Sequence, residues 1–308
     1  ITENNFLGRG IEFSTDLSLS AESIKGKFAF DNPNFNGSDR NLNFSLESSE
    51  TDRLKDFGYK SNKTGFSVGT GYKTYQNLFL RTSISTYYES IKTNSTASAS
   101  RQKQKGNFFA QTFSYALDFD DRDRMYKTTE GTRSTFVQQI PLISDTYSLL
   151  NGYEIKKWHK FDNKIVTSLG FYGRQINSLN DKDVKISNRL NLSNKKLKGF
   201  ESGKIGPKDG KDFIGGNYAA AVNFNASLPM VFPSLEDMDF TYFIDVGNVW
   251  GVDYSDTINE SNTIRSSTGI ALNWFTVVGP LSFSFAQNLT KATTDKTQTF
   301  QFDIGTTF

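Results

Sequence analysis

The 308-residue chain has no cysteine, a single histidine, only 6 prolines and no long apolar run. Without cysteine there are neither disulfides nor thiol chemistry, which is compatible with an oxidising compartment without requiring one. The lone His159 follows Trp158 in a segment that reads as a turn, so a Ser-His-Asp triad or a histidine-based metal site has little to stand on. No window approaches the run of about 18 apolar residues that a membrane-spanning helix needs. A dominant charge is missing too. With 35 basic and 33 acidic residues the net charge is +2, and nothing points to nucleic acid. Neither a charged n-region nor an apolar h-region follows Ile1, so the chain reads as a mature or excised fragment.

What the chain has in quantity is aromatic residues, 14% of the total with 28 Phe and 13 Tyr, arranged with a period of two. Ile11, Phe13, Thr15, Leu17 and Leu19 alternate with Glu12, Ser14, Asp16, Ser18 and Ser20. Tyr218, Ala220, Val222, Phe224, Ala226 and Leu228 do the same against Asn217, Asn223, Asn225 and Ser227, and so do Phe300, Phe302 and Ile304 against Gln301 and Asp303. Fourteen such segments lie near residues 10–20, 22–31, 39–49, 63–73, 78–90, 106–118, 130–140, 146–157, 164–176, 216–228, 239–250, 263–275, 280–289 and 298–308. Their length suits strands that cross a bilayer at a tilt, about 9 to 11 residues, better than the 5 or 6 typical of a soluble sandwich. Because such a strand needs an apolar residue only at every second position, a mean hydropathy of -0.50 is no obstacle.

The spacing therefore predicts an all-β fold over residues 1–308, a transmembrane antiparallel barrel. Tyr87, Tyr88, Trp250 and Trp274 read as interface girdles. Connectors are short in some places (34–37) and long in others (94–106, 253–262), as when one side of the membrane carries tight turns and the other long loops. The longest, 177–216, is rich in Lys, Asn, Asp and Gly, and a loop of that length is functional or disordered. The acids Asp118, Asp120, Asp121 and Asp123 lack calcium-loop spacing and are neutralised by Arg122 and Arg124, so they read as a solvated turn.

Within the long loop stands Leu197-Lys198-Gly199-Phe200-Glu201-Ser202-Gly203-Lys204-Ile205-Gly206-Pro207. It resembles the Arg-Gly-Phe loop motif, with its following Ile-Gly-Pro, of the BamA family of outer-membrane barrel-assembly insertases. Gly215-Gly216-Asn217, Phe243 to Trp250, Arg265 to Trp274 and Gly279 to Ala286 are similar, in order, to that family's last strands. Asn5 to Gly10 resembles the entry to its first barrel strand, Asp31 to Phe35 a periplasmic turn, and Asp121 to Asp123 with Glu130 to Arg133 a mid-barrel turn. The resemblance implies sixteen strands, two short ones flanking the long loop beyond the fourteen above, and that loop as an extracellular one folded into the lumen. It also implies periplasmic domains that are absent from this chain.

Where the family has arginine this chain has Lys198; Asp245 matches one acidic partner of that arginine, and Asn225 stands where a second would be. The resemblance thus assigns a lumen loop latch to Lys198, Gly199, Phe200, Asp245 and Asn225. Lysine cannot make the two-pronged contact of a guanidinium, so the latch is less directional. The implied activity is insertion of barrel proteins into the outer membrane of a Gram-negative bacterium, with no enzyme chemistry and no cofactor. A client strand would pair at a seam between the first and last strands, to which Gly8, Gly10, Gly305 and Phe308 are assigned. The implied partners are unfolded outer-membrane barrel proteins, periplasmic accessory lipoproteins and outer-membrane lipid. The alternative is a translocation pore resembling the two-partner secretion transporters.

Overall fold

The computed structural model describes residues 1–97, 99–125, 127–161, 165–227, 238–253, 258, 262–276 and 279–304. The strands among them are β1 (Thr2–Phe6), β2 (Ile11–Leu19), β3 (Ser23–Asn32), β4 (Asn41–Arg53), β5 (Tyr59–Tyr75), β6 (Leu78–Thr93), β7 (Gly106–Asp120), β8 (Gly131–Ser144), β9 (Ser148–Lys160), β10 (Val166–Ser178), β11 (Lys208–Asp209), β12 (Asp212–Phe213), β13 (Tyr218–Ser227), β14 (Met238–Trp250), β15 (Arg265–Thr276), β16 (Gly279–Thr290) and β17 (Phe300–Ile304). Fifteen of them form one antiparallel meander in chain order. No helix among the described residues is long and apolar enough to cross a membrane.

The pleat sends alternate side chains to opposite faces, and the register lines them up across strands. Phe13, Phe30, Phe44, Val68, Ile84, Phe113 and Ile140 are successive cross-strand partners on one face. The neighbouring row, on the other face, is Ser14, Ala29, Ser45, Ser67, Ser85 and Thr112. Small polar residues there bond to one another, as Ser45 and Ser67 do at 2.8 Å. The apolar face stays uncovered. Leu17, Phe28, Leu46, Phe66, Leu169, Val222, Ile270 and Phe285 are all exposed on it, far more apolar surface than a water-facing sheet carries.

The sheet is strongly curled. Strands lie about 4.8 Å apart, so the β4–β5 turn and the β16–β17 connection would be roughly 50 Å apart if the sheet were flat. Instead Lys296 Nζ, in the β16–β17 connection, comes within 3.6 Å of Asp56 Oδ1 in the β4–β5 turn. The polar face is the inside of the curl. Among the described residues no register joins β1 to β17.

Two expectations are corrected. Among the described residues the sheet holds fifteen strands, and no short strands flank the long loop within it: β10 pairs directly with β13, and β11 and β12 pair only with each other. The strand beyond the expected fourteen is β1, at the other end of the sheet. Gly8 and Gly10 do not lie on a seam edge. They sit, at φ +68 and +65, in the exposed reversal between β1 and β2, where positive φ suits glycine, and β1 covers that part of the β2 edge. Gly305 and Phe308 lie outside the described residues.

Candidate functional site

Between β10 and β13 the chain leaves the sheet and packs back onto its polar face. Leu190, Leu192, Leu197, Phe200 and Ile205 of this loop are buried against Ile176, Ala219, Ala221 and Val249 of the wall. On the β5–β6 side Ile186 and Phe213 join Phe57, Tyr59 and Ile91. The ion pairs Lys185–Glu89 and Arg101–Asp212 beside these clusters are nearly inaccessible, and breaking such a pair from one side costs more than it would at a surface.

Asp245 is the focus of the site. Alternation along β14 turns Phe243, Asp245, Gly247 and Val249 inward, and the Asp245 side chain is fully buried. Its Oδ2 accepts from both the backbone N and the Nζ of Lys198, each at 3.1 Å. Its Oδ1 accepts from Asn223 Nδ2 at 2.6 Å, and the same amide group donates to Lys196 O at 2.8 Å. Lys198 O is bonded by Ser267 Oγ, and its ammonium stands 4.4 Å from the centre of the Phe243 ring. Charge, main chain and aromatic face thus hold one residue of the loop.

Gly199 is required by close approach. With φ +86, a Cβ there would meet Asn288 Nδ2 at 3.0 Å, Ala286 Cβ at 3.1 Å and Ser267 Cβ at 3.2 Å. Phe200 is almost wholly buried in the loop's apolar cluster. Asn225 is not part of this arrangement. It is the register partner of Phe243, whose ring lies beneath the Lys198 ammonium, and its amide donates to Ser168 Oγ at 3.4 Å. The second polar partner of Asp245 is Asn223, one inward position along β13 and directly opposite Asp245 in the register.

Sequence reasoning missed most of the other fastenings. Lys185 meets Glu89 at 2.6 Å and Arg101 meets Asp212 at 2.9 Å, all four side chains nearly inaccessible. Arg189 pairs with Asp253 and donates to Asn217 Oδ1. Arg265 makes a two-pronged contact with Asp295, both bonds 2.9 Å and both side chains fully buried. A signal existed for two of these, since Glu89 and Arg265 occupy inward positions of strands, where an ionisable group needs a partner. The partners themselves lie far away along the chain, 112 residues between Arg101 and Phe213 O and 148 between Lys204 and Asp56. A cavity of about 470 Å³ remains between the loop and β5–β10, lined by Lys63, Tyr87, Glu89, Arg174 and Lys185 among others.

Lys204 is the outermost of these ties, bonded to Asp56 at 2.8 Å and to Glu201 at 3.1 Å. The hydrogen bond from Lys204 holds the Asp56 carboxyl below its ordinary range, more than burial raises it. A carboxyl whose pKa is depressed by folding stabilises the fold above its unfolded value, and that contribution is lost as pH falls through the folded value. Both groups keep some solvent contact, so the effect is small. Hydrogen exchange of residues 201–206, corrected for intrinsic rates, is expected to lose protection as pH is lowered from neutral to below about 4, the ordinary carboxylate value. The Asp56→Asn protein should already be less protected at the upper end and change little; an identical profile for both proteins would exclude the tie.

The Omp85 superfamily domain matches residues 5–308. Outer membrane protein assembly factor BamA of Neorickettsia risticii (strain Illinois) is 26% identical over 256 residues, which are 81% of this chain and 34% of that protein. The protein of the same name from Neisseria meningitidis serogroup B is 33% identical over 141 residues, 36% of this chain and 17% of that one. The chain therefore spans about a third or less of the length of these curated relatives. Among solved structures, BamA from Haemophilus ducreyi lacking POTRA domains 1-3 is similar with a TM-score of 0.88 at 22% identity, over 98% of this chain and 65% of that one. CdiB from Acinetobacter baumannii is similar at 0.62 and 11% identity, over 98% and 55%. With the family model covering nearly every residue, this chain belongs to the Omp85 superfamily as a BamA-like C-terminal barrel domain.

Proposed function

We propose that the chain is the membrane-embedded part of an insertase that helps β-barrel proteins fold into the outer membrane of a Gram-negative bacterium. The observation that carries this reading is a sheet with two ends, β1 and β17, each paired on one side only among the described residues, around a loop fastened to its interior. An unpaired strand edge offers main-chain donors and acceptors that an incoming strand of any sequence can use. No covalent step and no cofactor enter this mechanism. In this reading the sheet closes as a sixteen-stranded barrel with the loop in its lumen. β1 and β17 are the first and fifteenth strands of a meander and run in the same direction, so an all-antiparallel closure needs one further strand between them.

The clients would be unfolded outer-membrane barrel proteins, the uncovered apolar face would meet outer-membrane lipid, and accessory lipoproteins would act through periplasmic domains outside these residues. The names of the curated relatives support assembly of outer-membrane proteins. The test uses the full-length protein in liposomes: an unfolded barrel client should gain protease resistance several-fold faster than in empty liposomes. Equal rates, together with a steady ion conductance, would favour a translocation pore instead.

A further inference from the structure

We infer that the loop motif also clamps the outer end of the last strand, β17, with Gln301 as its positioning residue. Among the described residues β17 comprises Phe300–Ile304 and pairs with β16 alone, and a strand held from one side is the kind of element that opens early. The loop supplies what the sheet does not. Glu201 N donates to Lys296 O at 3.0 Å, Lys296 N to Lys204 O at 3.1 Å, and Gln298 N to Gly199 O at 3.0 Å. With the isolated antiparallel bridge between Phe200 and Thr297, these bonds tie the loop tip through its main chain to the segment that leads into β17.

Two side chains fix the register of that contact. Gln301, nearly inaccessible on the inner face of β17, donates through Nε2 to Phe200 O at 3.2 Å, and Asn288 of β16 donates to Gly199 O at 2.8 Å. Phe200 O is thereby committed to β17. Letting β17 leave β16 means stripping a buried carbonyl of its donor, unless the loop moves with the strand. The loop therefore sets how freely this edge opens, apart from its anchorage at Asp245. The consequence for insertion rests on the edge reading above, but the clamp itself is tested without any insertion assay.

The experiment is hydrogen exchange on the full-length protein in liposomes, comparing residues 300–304 with β13 and β14. Gln301→Leu keeps the bulk and removes the donor, and should speed exchange of 300–304 about fivefold while β13 and β14 keep the parental rate. In the opposite direction, cysteines at Glu201 and Lys296, opposed across the bridge in a chain without native cysteine, should slow that exchange when oxidised and restore it on reduction. Parental exchange at 300–304 in Gln301→Leu, or equal acceleration throughout the sheet, would overturn the clamp. So would identical exchange in the oxidised and reduced double-cysteine protein, which decides the matter if Gln301→Leu does not fold. A clamp that passes these tests in a protein that inserts no client would leave the clamp standing and remove the insertase.

Discussion

Asp245→Ala is expected to release the long loop, so that residues 197–205 become cleavable by protease added from the loop side while the strands stay intact. The Asp245 side chain is fully buried and answers three donors: the Lys198 backbone N–H, the Lys198 ammonium and the Asn223 amide. Alanine takes this acceptor from all three, leaving the Asn223 amide only Lys196 O. Breaking a buried pair from one side costs about 3 to 5 kcal/mol, and the lower figure applies here because the Lys198 side chain keeps 19% exposure and can turn toward water. The control is Glu47→Gln, which breaks the Lys25–Glu47 pair of the same sheet at 3.0 Å but with side chains 44% and 25% exposed; it should cost under about 1 kcal/mol and leave the loop protected. If Asp245→Ala is cleaved no faster than the control, Asp245 does not hold the loop. Lys198→Arg should keep the parental protection without strengthening it. Asn225 bonds to Ser168, and Asp245 Oδ1 is already taken by Asn223, so a guanidinium would find only Oδ2, shared with the backbone N–H of residue 198, and the Phe243 face.

Asp295→Ala should destabilise the protein at least as much, by about 3 to 5 kcal/mol, read as a lower urea midpoint with an unchanged slope. Here neither partner has any exposure, and Arg265 has two bonds of 2.9 Å to lose. The guanidinium retains Asn248 Oδ1 and Thr263 O, neutral acceptors that cannot balance its charge. Asp295 also accepts from Ala292 N at 2.7 Å, so its loss loosens the β16–β17 connection on which the loop tip pairs. Combining Asp295→Ala with Arg265→Met should recover much of the loss, because it removes the uncompensated charge rather than the shape. A double variant as unstable as Asp295→Ala alone would mean that packing, not charge, holds this corner.

The strands were legible because the signal for them is local. Each of the fourteen expected segments overlaps a strand of the sheet, and most ends agree to within a few residues, since a pleat demands nothing beyond alternation. β1 escaped notice because Thr2–Phe6 is a short polar run with no clean alternation, held by its hairpin with β2 rather than by an apolar face. Asp245 was legible as an inward acid on β14, and the loop motif identified Lys198 as its partner. The assignment of Asn225 to the latch failed on register, since Asn223 faces inward too and only the pairing of β13 with β14 says which one meets Asp245.

What the sequence by itself determined is the two-faced character of the strands and, through one loop motif, the family to which they belong. Both follow from neighbours in the chain: alternation fixes the face of a side chain, and a contiguous motif needs no fold to be read. Only the tertiary structure decided which inward charges meet. Lys185 and Glu89, Arg265 and Asp295, and the Gln301 contact with Phe200 depend on the curl of the sheet and the path of a loop that crosses its interior. Alternation says that an ionisable group faces inward, where water is scarce and a partner is needed, but a partner on a distant strand or loop is chosen by register and curvature, which no local pattern encodes.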